Sequence, residues 1–214
     1  TVVFTQPPEP ASCGAAAQKP LYLACDWWRS LGVLDDIRVV LVLPDPVPFG
    51  IPDIDSELHR VLDRYGVEVR YSREVRRVDA TTRTLTIGHG DDEETLAYDV
   101  LHAVPPQRAP EWIAGSGLAD ADDPHGFVDV DPETLQHRRY PDVWSLGDSA
   151  RVATRPSGGA IRPQAKILAK NLRSALRGAT PSARYDGYSV VPFTVSRGTV
   201  VFAEFDRWGH PRPT

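Results

Sequence analysis

The sequence predicts an α/β fold in which a parallel sheet is joined by an antiparallel meander. Three observations carry that expectation. A β-branched run at residues 1–4, an amphipathic stretch reaching Leu31 and an apolar run at 37–43 succeed one another as strand, helix and strand. A further helix and strand extend the alternation to Tyr71, and three short runs separated by turn residues follow. Strands that alternate with helices build parallel sheets, whereas short strands joined by tight turns build antiparallel ones.

Residues 1–4 form the opening strand, broken by Gln6-Pro7-Pro8-Glu9-Pro10. From Ala15 to Leu31 the residues favour helix, with Leu21, Cys25, Trp28 and Leu31 recurring every three or four positions on one buried face. Gly32 is the expected stop. The run at 37–43 is nearly continuous in apolar residues, as in a strand buried on both faces. A strand–helix–strand unit crosses over right-handed, so the domain is Rossmann-like, with helices layered on its sheet. After a Pro-rich loop, residues 53–65 form a helix with Ile54, Leu58, Val61 and Leu62 inward and Asp53 or Asp55 as its cap.

Residues 67–71 alternate as a half-exposed strand, and 75–79, 84–87 and 95–97 make the meander around a polar tip at 88–92. Residues 100–104 form another apolar strand, closed by Pro105-Pro106. Beyond a polar loop, 126–130 and 143–146 read as two more strands, with Gly147-Asp148 at the edge of the second. Gly158-Gly159 opens a helix to about Leu176, and the tail returns to strand at 189–195 and 199–205.

The bulk composition narrows the function classes. With 214 residues, 41% of them hydrophobic and 25% charged, the chain can bury a real core. A net charge of −5 excludes nucleic acid as the partner, because a basic face is needed to neutralise phosphates. No apolar run approaches the ~18 residues of a membrane span, and no secretory signal opens the chain. Two cysteines are the usage of a reducing compartment, so a cytoplasmic protein is expected. There is no methionine, even at position 1, which points to a processed product or a piece of a longer chain.

The turn before the first helix, Ser12-Cys13-Gly14-Ala15-Ala16, sits where a nucleotide-binding fold carries Gly-x-Gly-x-x-Gly. Only Gly14 survives, leaving a pyrophosphate little room. A helix N-terminus favours a thiolate at Cys13, and Lys19, just over a turn further on, adds to the field. A reactive thiol and an inert buried one are both compatible with the residues alone. Cys25 falls on the apolar helix face and reads as structural. With both cysteines on one helix, about twelve residues at ~1.5 Å each put them ~18 Å apart, too far for a disulfide.

Leu146-Gly147-Asp148 at a strand end offers close backbone approach and a carboxylate to accept hydrogen bonds from a hydroxylated chain. The histidines show no metal-ligand spacing and no metal site is expected. His137 is expected to order a loop, and Asp91-Asp92-Glu93-Glu94 to be a solvated hairpin tip.

Several of these stretches together resemble one family. The segment Ser12-Cys13-Gly14-Ala15-Ala16-Ala17-Gln18-Lys19, the run Val128-Asp129-Val130-Asp131-Pro132-Glu133-Thr134-Leu135-Gln136-His137, and Tyr140-Pro141-Asp142-Val143-Trp144-Ser145-Leu146-Gly147-Asp148 are similar to sulfide:quinone oxidoreductases. So is the tail, Tyr185-Asp186-Gly187-Tyr188 with Phe202-Ala203-Glu204-Phe205-Asp206. These are FAD-dependent flavoproteins with two dinucleotide-binding domains, of the pyridine nucleotide-disulfide oxidoreductase type.

The resemblance implies an NAD(P)-binding-like domain with a degenerate fingerprint at 1–104, the second half of an FAD-binding domain at 105–178 and a C-terminal β segment at 179–214. It implies Cys13 as the catalytic thiol that carries sulfide sulfur as a persulfide, and FAD held by Gly147, Asp148, Gly159, Ala160 and Lys19. A membrane quinone would receive the electrons, which brings peripheral membrane contact in the full-length protein. The sequence departs from the family in three ways. No Gly-x-Gly-x-x-Gly strand precedes Thr1, Val191-Pro192 stands where a partner cysteine is expected, and no amphipathic helices follow before Thr214. A fragment lacking the ADP-binding half is therefore expected, with a homo-oligomer as one way to cover its open sheet edge. Two alternatives remain: an NAD(P)H:quinone or related pyridine-nucleotide flavin oxidoreductase, and a fragment inactive on its own.

Overall fold

The computed structural model describes residues 1–11 and 13–212; Ser12, at the head of the cysteine turn, lies outside them. The chain divides into two compact units, Thr1–Pro106 with Pro192–Ala203, and Gln107–Val191 with the segment from Glu204 onward.

In the first unit β1 (Val2–Thr5), α1 (Lys19–Ser30), β2 (Val39–Val42), α2 (Pro52–Arg64) and β3 (Glu68–Arg70) alternate. The meander β4 (Glu74–Asp79), β5 (Thr84–His89) and β6 (Asp92–Ala97) follows, and β7 (Val100–His102) returns to the first sheet. That sheet is parallel throughout, in the order β3-β2-β1-β7. Every residue of β1 and β2 is buried, as their unbroken apolar runs require. Val3, Val40 and Val42 pack against Leu85, Ile87 and Leu96 of the meander, so the meander covers one face of the sheet. Side chains alternate along a strand, which sends Val2, Phe4, Val39 and Leu41 to the other face. Right-handed crossovers from β1 to β2 and from β2 to β3 place both helices there, with Leu21, Tyr22 and Cys25 of α1 and Leu58, Val61 and Leu62 of α2 buried.

Two local expectations are corrected. α1 starts at Lys19 rather than Ala15; only one 3₁₀ turn, Gly14–Ala16, forms earlier. Pro20 explains the start, because its missing N–H and fixed φ suit only the first helical turn. Neither Asp53 nor Asp55 caps α2. The buried Asp55 carboxylate instead accepts hydrogen bonds from the N–H groups of Phe49 (2.7 Å) and Gly50 (3.0 Å), tying the Pro-rich loop to the helix.

The second unit holds α3 (Glu111–Gly115) and α4 (Gly158–Ala175). The strands expected at 126–130 and 143–146 are not formed. Val128 bridges Ala119 and Ala150, Val130 bridges His137, and Trp144 bridges Gln136, each pairing isolated. The alternation of Val128 and Val130 buries both in a cluster with Ile113 and Ala150, but no strand of matching length runs beside them among the described residues. The tail forms the antiparallel pair β8 (Ser189–Ser196) and β9 (Thr199–Phe205), and the unit boundary passes through this hairpin. Its outer part belongs to the first unit, where the Tyr65 hydroxyl donates to the Val195 carbonyl (2.8 Å) and Phe49 meets Phe193 edge-on, centroids 5.1 Å apart.

Candidate functional site

The long connection from β1 to α1 carries Cys13. This residue is half-buried, has a free thiol and adopts φ 49°, a left-handed conformation uncommon outside glycine. With α1 starting six residues later, Cys13 does not sit at an α-helix N-terminus. Lys19 is the first residue of α1 rather than a cation one turn inside it. Cys25 differs sharply: it is fully buried, and burial pushes its thiol up to about 12, which leaves it a protonated packing residue.

The same connection is poorly made for a dinucleotide. The position a Cβ would take on Gly14 lies 3.4 Å from Glu9 Oε1, and Glu9 Oε2 accepts from the Ala11 N–H (2.9 Å), so a carboxylate stands beside the one remaining glycine. At the helix entrance the buried Gln18 amide donates to Gln6 Oε1 (2.8 Å) and to the Pro48 carbonyl (2.9 Å), while Tyr22 donates to Gln18 Oε1 (2.8 Å). This satisfied buried network fills the start of α1 with the chain's own side chains. The C-terminal ends of β1 and β7 adjoin where the strand order reverses, the usual ligand crevice of such sheets. There a pocket of about 430 Å³ is bounded by Pro7, Pro8, Pro105 and Pro106, none with an N–H to offer a phosphate, and by Glu74.

In the second unit Gly147, Asp148 and Ser149 form a 3₁₀ turn entered by Gly147 at φ 66°. The Gly147 N–H donates to Gln164 Oε1 of α4 (2.8 Å), and a Cβ at Gly147 would meet Ile161 at 3.5 Å, so turn and helix are locked together. Asp148 is exposed at the crest of this turn. α4 is capped by Ser157, whose hydroxyl accepts from the Ala160 N–H (3.1 Å). Ala160 is buried with its N–H used, and among the described residues the N–H groups of Gly158 and Gly159 are the donors of the first turn with no intrahelical acceptor. Gly159 also meets a packing demand: a Cβ there would stand 2.0 Å from Val190 Cγ1. The structure thus gathers Gly147, Asp148, Gly159 and Ala160 around the turn and helix start of one unit, while Cys13 and Lys19 belong to one loop and helix of the other.

Two supporting residues, Asn171 and Asp131, are not evident in the sequence. His137 has the role expected of it, ordering a loop: Nε2 lies 2.9 Å from the Leu118 carbonyl, and Nδ1 accepts from the N–H groups of Arg139 and Tyr140, which selects the Nε2–H tautomer. Asn171, buried inside α4, donates to the carbonyls of Thr134 and Ala183 and accepts from the Ala183 N–H. Burial opposes the ionised form of Asp131, but hydrogen bonds from Thr134 and the Glu133 N–H outweigh it and hold the carboxyl below its ordinary value. The partners of Asp131 are local and those of Asn171 distant in sequence, while His137 bonds both its neighbours Arg139 and Tyr140 and the distant Leu118. Among the described residues no cluster of three or more His, Cys, Asp or Glu side chains is arranged to hold a metal ion, and no helix is long and apolar enough to cross a membrane.

No family model matches the chain. Individual proteins do. The mitochondrial sulfide:quinone oxidoreductase of Dictyostelium discoideum is 32% identical over 203 residues, covering 95% of this chain and 44% of that protein. That of Mus musculus is 30% identical over 215 residues, covering 99% of this chain and 47% of its own length. The chain therefore spans about half the length of the curated relatives it matches. Among solved structures, the sulfide:quinone oxidoreductase of the hyperthermophilic bacterium Aquifex aeolicus superposes with a TM-score of 0.74 at 13% identity, over 98% of this chain and 54% of that one. A chain of the Tetrahymena thermophila mitochondrial ATP synthase superposes with a TM-score of 0.80 at 22% identity, over 99% and 52%. At those identities the superpositions establish a shared fold, and the mixed α/β class expected from sequence stands.

Proposed function

We propose that this chain, related along nearly its whole length to about half of the sulfide:quinone oxidoreductases, is the central and C-terminal portion of an FAD-dependent oxidoreductase that acts on sulfide. The observation that carries the reading is Cys13: a half-buried free thiol in a loop that lacks phosphate-binding features, within a chain that aligns along 99% of its length with about half of one of those enzymes. The pyridine-nucleotide alternative loses support at the same loop, where Glu9 and the proline-walled crevice replace a phosphate cradle.

The second unit's donor set suits FAD. The exposed Asp148 carboxylate would accept hydrogen bonds from the hydroxyls of a ribityl chain, and the left-handed Gly147 keeps the turn free of a side chain at its entry. The Gly159 N–H, on the positive end of α4, suits an electron-rich ring edge. Ala160 holds that helix start in place through its bond to Ser157. Lys19 adds positive charge at the head of α1. When bound, FAD would supply a two-electron acceptor.

Cys13 carries the sulfur. In the net reaction, the Cys13 thiol, hydrogen sulfide and a quinone give a Cys13 persulfide and a quinol. One sulfur–sulfur bond forms, two sulfur–hydrogen bonds break, and two electrons with two protons end on the quinone. Val191 is fully buried where the family's partner cysteine is expected, so a partner thiol for Cys13 comes from outside this chain, or the sulfur relay works differently, or it is lost. The test is Cys13→Ser in the full-length protein. Sulfide-dependent quinone reduction should vanish while bound flavin absorbance stays, and unchanged sulfide turnover would remove Cys13 from the mechanism.

A further inference from the structure

α1 is apolar on two sides. Leu21, Tyr22 and Cys25 are buried on the side that faces the sheet. On the opposite side Leu23, Trp27 and Leu31, the last at the C-terminal cap, recur every fourth residue and stand exposed, Trp27 at 50% and Leu31 at 55%. At 100° per residue the three fall within one arc of roughly 80° and extend about 12 Å along the helix. A helix that only covers its own sheet needs one apolar face, so this outer row calls for a second partner.

Trp27 is held in place on that face. The Arg197 guanidinium carbon lies over its ring, 5.2 Å from the centroid. The Asp26 carboxylate fixes Arg197 there, accepting from its Nε (2.7 Å) and its backbone N–H (3.1 Å). A large ring that is already ordered loses little entropy on burial, which suits it to anchor an interface. The two ends of the row carry opposite charge. Lys19 stands one further step of four before Leu23, and Asp35 and Asp36 follow Leu31 in the 3₁₀ turn Leu34–Asp36. Among the described residues none of these three enters an ion pair.

Such a row is complementary to itself. Residues spaced by four form the ridges that interdigitate when two helices cross at roughly 50°. About a two-fold axis through Trp27, residues equally far from it on either side face each other. Leu23 then packs on the other copy's Leu31, and Lys19 comes toward its Asp35 and Asp36. We infer that the outer face of α1 is the interface of a homodimer, an isologous contact with Trp27 at the axis. A parallel pair would instead set like charges together, and the acidic end of the row would be repelled by an anionic bilayer. The contact is small, so the dimer is weak, with a dissociation constant on the order of micromolar. The assignment rests on α1 and its neighbours in the first unit and is independent of the flavin reading.

Sedimentation velocity of the full-length protein over a concentration series should show a monomer–dimer equilibrium. Trp27→Ala and Leu31→Ser should each raise the dissociation constant about tenfold or more. Asp35→Lys with Asp36→Lys should also weaken the dimer, and adding Lys19→Glu should recover part of that loss by restoring opposite charges across the axis. Circular dichroism checks that each variant is folded, and Leu31→Ser, at an exposed cap, keeps the test decisive should Trp27→Ala unfold.

Cysteine cross-linking in a Cys13→Ser background tests the axis itself. Trp27→Cys should link to its own copy on oxidation. Leu23→Cys should not, because two copies of that position lie about 12 Å apart, beyond the ~7 Å that a disulfide spans. A monomer at every concentration, a dimer untouched by the folded variants, or self-linking at Leu23→Cys rather than Trp27→Cys would overturn the assignment. So would a monomer that binds phospholipid vesicles and loses that binding in Leu31→Ser, which would give this face to a membrane.

Discussion

Gly159 and Val190 approach so closely that a methyl group on the glycine would stand 2.0 Å from a valine γ-carbon. The glycine thus lets the tail strand lie against the first turn of α4. Gly159→Ala should destabilise the protein by about 1–3 kcal/mol, the usual cost of overpacking. Gly158→Ala, which meets open space, should stay within about 0.5 kcal/mol of the parent. Urea midpoints decide this, and adding Val190→Ala to Gly159→Ala should recover most of the loss.

The two thiols should separate cleanly by reactivity. A thiol reagent at pH 8 should titrate Cys13 in the folded protein and reach Cys25 only after denaturant is added. Cys25 is fully buried with its thiol pushed up to about 12, so little thiolate exists to react. Prompt labelling of both would contradict the packing of α1.

Asp131 makes stability depend on acid. Its carboxyl is held below the ordinary value when folded, so its contribution is fully present above the unfolded value, ~3.9, and is lost as pH falls through the lower folded value. Urea midpoints measured from pH 6 down to pH 3 should therefore fall at the acid end. Asp131→Asn should lower stability at pH 6 and flatten that part of the curve.

Asn171→Leu should cost about 2–4 kcal/mol, because it strands the Ala183 N–H and two carbonyls in the interior. Ser174→Ala, three residues along the same helix on an exposed bond to the Lys170 carbonyl, should stay within about 0.5 kcal/mol. Equal thermal midpoints for the two variants would show that the Asn171 bonds contribute little.

Asp148→Ala should reduce flavin content in the full-length protein without unfolding it, since the side chain is exposed at the crest of its turn. The ratio of flavin to protein absorbance after purification reports this directly. Full flavin occupancy would remove Asp148 from the ribityl contact.

Local order proved legible where the responsible residues are neighbours in sequence. The β-branched run at Val2–Thr5, the apolar run around Val39–Val42 and the meander all form within a few residues of their expected limits. The start of α1 was also written locally, in Pro20, a stronger signal than the helix preference of Ala15–Ala17. Val128 and Val130 misled because alternation reports burial on one side, whereas a strand also needs a partner of matching length. At the candidate site, Cys13, Gly147 and Asp148 stood out by residue type. Gly159's second duty did not, because Val190 lies far along the chain, and neither did the anchoring by Asn171, whose partners flank α4 from two separate loops.

The left-handed backbone at Cys13 has a consequence for any effort to improve this protein. A side chain at φ 49° is strained by roughly 1 kcal/mol relative to glycine. A screen that rewards heat resistance alone would therefore drift toward Cys13→Gly and discard the thiol unnoticed. Robustness and chemistry pull this position in opposite directions, so a library selected for one should be counter-selected for the other.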